Sequence, residues 1–197
     1  MSLAWALAMG ALPVALWRGD DAWARELACQ LEEHAERHAL AYWNEWSLLY
    51  RQVLAARASR VDVPYSAAWR ADAVQGDHLA TWLASLAGEA AGQRCAQGQV
   101  AWCAAEVWRA SGERLLLGQG GEAAAEALFL RALGIARRQG ALAWELRCAT
   151  SLARLWRERG DSDGCRRATA LLEPLVLALG DGHDGADRRA ALRLLQD

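Results

Sequence analysis

The chain contains no lysine: all 22 of its basic residues are arginine. A P-loop needs a lysine to reach the β- and γ-phosphates, and Schiff-base chemistry needs a lysine amine. Both are excluded within these 197 residues. Proline is scarce, with three residues, and phenylalanine occurs once. The five cysteines form no C-x-x-C pair, so spacing supports neither a zinc knuckle nor a disulfide framework and points to buried thiols in a reducing compartment. No apolar run is long enough to span a bilayer. The start, Ser2 to Trp17, also lacks the basic leader of a signal peptide. A formal charge of −2 gives no electrostatic footprint for nucleic acid. The expectation is a cytoplasmic chain without direct contact to membrane or nucleic acid.

What is present favours helix. Apolar residues make up 54%, dominated by Ala and Leu, and 11 residues are Trp. The reading is all-α, about eight or nine helices, in one helical-repeat domain over 1–197. Within it lie N-terminal helices (1–58), an irregular connector (59–77) that carries Pro64, and C-terminal repeats (78–197). Pro13 is expected to kink the first helix or begin a second. Gly19 then serves as a left-handed stop and Asp20 as an N-cap. Asp21 to His38 forms a helix with Trp23, Leu27 and Leu31 on one stripe. Leu40 to Ala58 stacks Tyr42, Trp46 and Tyr50 at i, i+4 and i+8. Ala101 to Leu117, Glu122 to Gln139, Ala141 to Arg159 and Cys165 to Leu179 follow, separated by Gly-containing turns. Asp184 is an N-cap candidate for a last helix that contains Asp187.

Between Ala101 and Gly160 small residues fall where helices must touch. Gly112, Ala125, Phe129 and Ala132 follow the small–small–aromatic–small order of a tetratricopeptide (TPR) unit. Ala149 restarts the phase 37 residues after Gly112, against a repeat of about 34. This predicts TPR-like antiparallel hairpins stacked in a short right-handed solenoid. The first helix of each pair in such a fold lines the concave side, which puts Glu106, Arg109, Glu113, Thr150 and Arg154 toward a groove. Arg109 and Arg154 either fork onto a partner's carboxylate or phosphate or pair with the neighbouring glutamates. Tyr42, Trp43 and Trp46 are a second place where a ligand can stack, with core packing the competing role.

The text WCAAEVWRASGERLLLGQG, then AEALFLRALGIARRQGALAWELRCATSLARLWRERG, then LLEPLV and DGHDGAD, resembles the C-terminal helical arm of bacterial predicted ATPases. These are STAND-type signalling regulators linked to winged-helix or cyclase domains. LPVALWRGD and HALAYWNEW are similar to the earlier part of the same arm. The matched parts cover roughly three quarters of the chain and weaken from Ser59 to Asp77. The resemblance implies a sensor or protein-interaction module. Its partners would be another protein, a small-molecule ligand, or the ATPase and DNA-binding modules of the same regulator, whose motifs are not in this chain. A homodimer on an oligomerisation scaffold is the alternative, and a small all-α enzyme a further one.

No catalytic constellation is evident, and neither cofactor nor metal is expected. His34 and His38 share a helical face at i, i+4, but no third ligand follows them. Their expected role is a solvated helix end. Glu32 with Glu36 and Glu122 with Glu126 read as surface charge.

Overall fold

The computed structural model describes residues 2–59, 92–93, 95–98, 102–118, 121–160, 162–180 and 185–196. The connector 59–77 beyond its first residue, the helix expected from His78 to Ala90, and Asp184 lie outside the described residues. Among the described residues the chain is helical throughout, with no strand. No helix among them is long and apolar enough to cross a membrane. Contacts divide the chain into two compact units, Met1–Pro64 and Tyr65–Asp197.

The first unit begins with α1 (Ser2–Ala6), a π-helical turn (Leu7–Ala11) and α2 (Leu12–Arg18). Pro13 occupies the first turn of α2, where its missing N–H matters least. The π turn solves a further problem. The Leu12 N–H reaches back five residues to the Leu7 carbonyl, so the next carbonyl in that register, Ala8, faces a proline that has no N–H to give. The Tyr50 hydroxyl donates to the Ala8 carbonyl instead. Tyr50 is fully buried, and burial pushes its phenol above the ordinary tyrosine value.

Tyr50→Phe is expected to cost about 1–3 kcal/mol, because it strands a buried carbonyl. The sign with pH follows from the raised folded-state pKa. Tyr50 contributes fully below the unfolded tyrosine value, and its contribution is lost as pH rises through the folded one. Urea midpoints measured from neutral pH into the alkaline range should therefore fall more steeply for the parent than for Tyr50→Phe. No lysine titrates there to blur the comparison.

Gly19 closes α2 in the left-handed region at φ 72°, and the Asp20 carboxylate accepts from the Trp23 N–H at 3.0 Å. Both expectations for this turn hold. The helix α3 (Asp21–Arg37) buries Ala24, Leu27, Ala28, Leu31 and Ala35. Trp23 was expected on that stripe but stays 37% exposed at its rim. Ala39 ends the turn at φ 51°, an unusual conformation for a residue with a Cβ. Leu40 N–H, bonded to the Ala35 carbonyl at 2.8 Å, closes it. The next helix, α4 (Ala41–Ser59), packs on α3.

In the second unit, α5 (Ala104–Leu117) starts later than expected, after a turn that holds Trp102 and Cys103. It is followed by α6 (Glu122–Gln139), α7 (Leu142–Glu158), α8 (Ser162–Leu179) and α9 (Ala186–Gln196). Each helix packs on the next. In addition α5 touches α7, and α7 touches α9. The core holds Ala125, Phe129, Ala132, Leu146, Ala149 and Leu152, all but inaccessible to solvent. Gly112 is buried beneath the Phe129 ring: a Cβ there would lie 2.5 Å from Phe129 Cε1. Gly140, at φ 63°, stops α6 as a left-handed cap.

Candidate functional site

The direct α5–α7 and α7–α9 contacts bring one face of each helix together. On α5, Glu106, Arg109 and Glu113 recur at i, i+3 and i+7, which is one stripe of an α-helix. On α7, Arg147, Ser151 and Arg154 do the same at i, i+4 and i+7. The first turn of α9 adds Asp187. These side chains meet in a single polar network.

Glu106 lies at its inner end and is only 7% exposed. Its carboxylate takes a two-pronged grip from Arg109, Nε to Oε2 at 2.7 Å and Nη2 to Oε1 at 2.9 Å. Arg147 Nη1 adds a third bond to Oε1 at 3.2 Å. From there Arg147 reaches across to α9, donating from Nη2 to Asp187 Oδ2 at 2.6 Å. Toward the other end, Arg109 Nη1 donates to Glu113 Oε1 at 3.0 Å, and the Ser151 hydroxyl donates to the same oxygen at 2.5 Å. Arg154 Nη2 closes the chain on Glu113, at 2.7 Å to Oε1 and 2.5 Å to Oε2. Glu106, Glu113 and Asp187 thereby balance Arg109, Arg147 and Arg154.

Electrostatics follow from that balance. Burial alone would raise the Glu106 pKa, but the Arg109 and Arg147 charges and their hydrogen bonds overturn it and hold the carboxyl below its ordinary value. Burial would likewise lower Arg109, yet Glu106 and then Glu113 raise it. Cys148, packed behind the network, is pushed up to about 12 by burial, with Glu106 adding to the shift. Its thiol is protonated at neutral pH and a poor nucleophile.

Of the groove residues expected from sequence, Glu106, Arg109, Glu113 and Arg154 come together, and they pair with one another. Arg109, with 17% side-chain exposure, is committed to internal carboxylates. Arg154 is the open member: its side chain is 43% exposed, and among the described residues only its Nη2 is bonded, to Glu113. Thr150 stays beside the network and donates to the Leu146 carbonyl of its own helix at 2.8 Å, which leaves its oxygen able to accept. Sequence reasoning missed Arg147, Ser151 and Asp187. A signal existed for the first two, since both share the helical stripe of Arg154. Asp187 had been read only as part of a helix start.

The aromatic candidates lie in the first unit. Tyr42, at 55% exposure, stands edge-on to Trp43 and Trp46 with ring centroids 5.1 and 6.3 Å away. Trp43 and Trp46 are each only 7% exposed, so the stack is core-bound at its base and open at Tyr42.

A second cluster, on α6 and the end of α7, corrects the reading of Glu126 as plain surface charge. Its side chain is 20% exposed and accepts from Trp156 Nε1 at 2.7 Å, while Arg159 binds its other oxygen. Arg167 lies over the Trp156 ring, 3.8 Å from its centroid. Glu122, paired with Arg159 at 3.3 Å, remains exposed as expected.

Compared with known protein families, curated proteins and solved structures, the chain matches none of them. Fold and site geometry therefore carry the functional argument alone.

Proposed function

We propose that this chain is a non-catalytic TPR-like interaction module, whose second unit binds a partner or ligand along the face shared by α5, α7 and α9. The observation that carries this reading is the contact pattern. Each helix of the second unit packs on its successor, and α7 also touches both α5 and α9, as stacked helical hairpins require. Six charged residues, Glu106, Arg109, Glu113, Arg147, Arg154 and Asp187, converge on that repeated face. A sensor arm of a bacterial STAND-type regulator, acting on attached modules as its curvature shifts, fits this arrangement.

The network's chemistry supports binding over catalysis. Glu106 is held ionised by two guanidiniums and Cys148 is held protonated. General acid–base work needs a pKa near the operating pH, and a thiol nucleophile needs the thiolate. Arg154 is the member whose free guanidinium edge can grip an anionic group while Glu113 holds its other side. A purely structural, self-associating scaffold is favoured by one observation, the exposure of Leu3 and Trp5 on α1 at 52% and 59%.

Arg154→Ala decides the matter. The full chain and this variant are immobilised side by side and challenged with extract of the cells that encode them. The expected result is a partner retained by the parent and released by the variant, with nearly equal melting temperatures. Arg154 is exposed, and pairs of that kind contribute at most about 1 kcal/mol. Identical sets of retained proteins would remove Arg154 from the binding face.

A further inference from the structure

The C-terminal turn of α3 carries an arrangement that the interaction reading does not use. His34 and His38 stand at i, i+4 with ring centroids 4.6 Å apart and planes tilted by 56°. The turn that holds them is pinned on both sides. His38 N–H bonds to the His34 carbonyl at 3.2 Å, Ala39 N–H bonds to the Glu36 carbonyl at 3.1 Å, and Ala39 adopts the left-handed conformation. His38 is open to solvent, whereas Nε2 of His34 is shut off from it and has no hydrogen-bond partner among the described residues. An orphaned buried nitrogen is uncommon in folded proteins, and a bound ion or water is one physical reason for it.

We propose that His34 and His38 are the two protein ligands of a site for a divalent transition ion of the Cu²⁺, Ni²⁺ or Zn²⁺ class, with water in its remaining positions. Two imidazoles one helical turn apart can reach a common ion from the same side. Imidazole suits these borderline metals and not the hard ions Mg²⁺ and Ca²⁺. The location favours a cation, because the last turn of a helix carries the negative pole of its dipole. Arg37, next in sequence, opposes a cation and keeps the site weaker than a closed structural one. No group of three or more His, Cys, Asp or Glu side chains suited to a metal occurs among the described residues. The site is therefore bis-imidazole and exchangeable, not a tetrahedral structural centre.

The test uses the full chain without an affinity tag, in a Cys29→Ser background, because Cys29 is an exposed thiol on the same helix. Titration calorimetry with CuCl₂, NiCl₂, ZnCl₂ and MgCl₂ should give one ion per chain for the transition metals. Cu²⁺ should bind tightest, following the order of intrinsic affinities, and Mg²⁺ should show no binding. His34→Gln and His38→Gln should each weaken Cu²⁺ binding by about tenfold or more, as losing a ligand requires, and the double variant should lose it. An independent readout on the unsubstituted chain is the imidazole proton spectrum, in which trace Cu²⁺ should broaden two of the chain's four histidines before the others. Full binding by the double variant, or equal broadening of all four, would overturn the proposal.

Discussion

Glu106→Ala is expected to destabilise the second unit by about 3–5 kcal/mol, the cost of removing one partner from a buried charge network. Glu106 is the point at which Arg109 and Arg147 meet, through three hydrogen bonds of 2.7–3.2 Å from two different helices. Truncation leaves two guanidiniums beside an empty, poorly solvated space. Arg109 keeps Glu113 and Ser151, and Arg147 keeps Asp187, but neither retains the carboxylate that joined them. Glu122→Ala is the internal comparison. Its side chain is 61% exposed and its one described pair is long, so it should cost less than about 1 kcal/mol. Amide exchange is the appropriate measurement, because it reads α5 and α7 separately from the first unit. Equal protection in the two variants would mean that the network contributes no more than surface ion pairs do.

The same residue sets an acid response. Its folded-state pKa is lowered, so its contribution is complete above the unfolded glutamate value and is lost as pH falls through the folded one. Glu106→Gln keeps the shape and removes the charge. It should start less stable at neutral pH and lose less than the parent on acidification, so the two stability curves converge at low pH.

How much of this could be read in advance differs by type of interaction. The turns were legible because their causes are local: Gly19, Asp20 and Gly140 each act on a backbone group within a few residues. The small-residue order was legible because Gly112, Ala125 and Ala132 leave room for one large ring, and Phe129 fills it. The network was half legible. Residues on one helical stripe follow from the 3.6-residue period, and Glu106, Arg109, Glu113 and Arg154 were found that way. Asp187 was not, since its role depends on α9 docking against α7, a contact forty residues away in sequence from Arg147. The Tyr50–Ala8 bond, separated by 42 residues, escaped for the same reason. Pro13 announced a disturbance there but not the hydroxyl that repairs it.

Gly112→Leu should damage the fold through packing alone. Glycine inside a helix is normally a liability of about 0.5–1 kcal/mol relative to alanine, so a helix holding one gains from replacement unless space forbids it. At Gly112 space forbids it. An added Cβ would lie 2.5 Å from Phe129 Cε1 and 2.8 Å from Cδ1, well inside van der Waals contact. The ring cannot easily withdraw, because Phe129 is fully buried together with Ala125 and Ala132 on the same helix. Overpacking of this kind costs about 1–3 kcal/mol, and leucine, which extends past Cβ into the ring, belongs at the upper end or beyond. Gly134 supplies the opposite sign within the same hairpin. A Cβ there meets only Arg138 Nη1 at 3.5 Å, an ordinary contact with a movable side chain. Gly134→Ala should therefore stabilise by about 0.5–1 kcal/mol. Chemical denaturation of both variants gives the answer. A destabilised Gly112→Leu beside a stabilised Gly134→Ala isolates the α5–α6 contact as the cause, since helix propensity alone would push both the same way. Pairing Gly112→Ala with Phe129→Leu should then recover part of the loss, because the smaller side chain gives back the space that the methyl group takes.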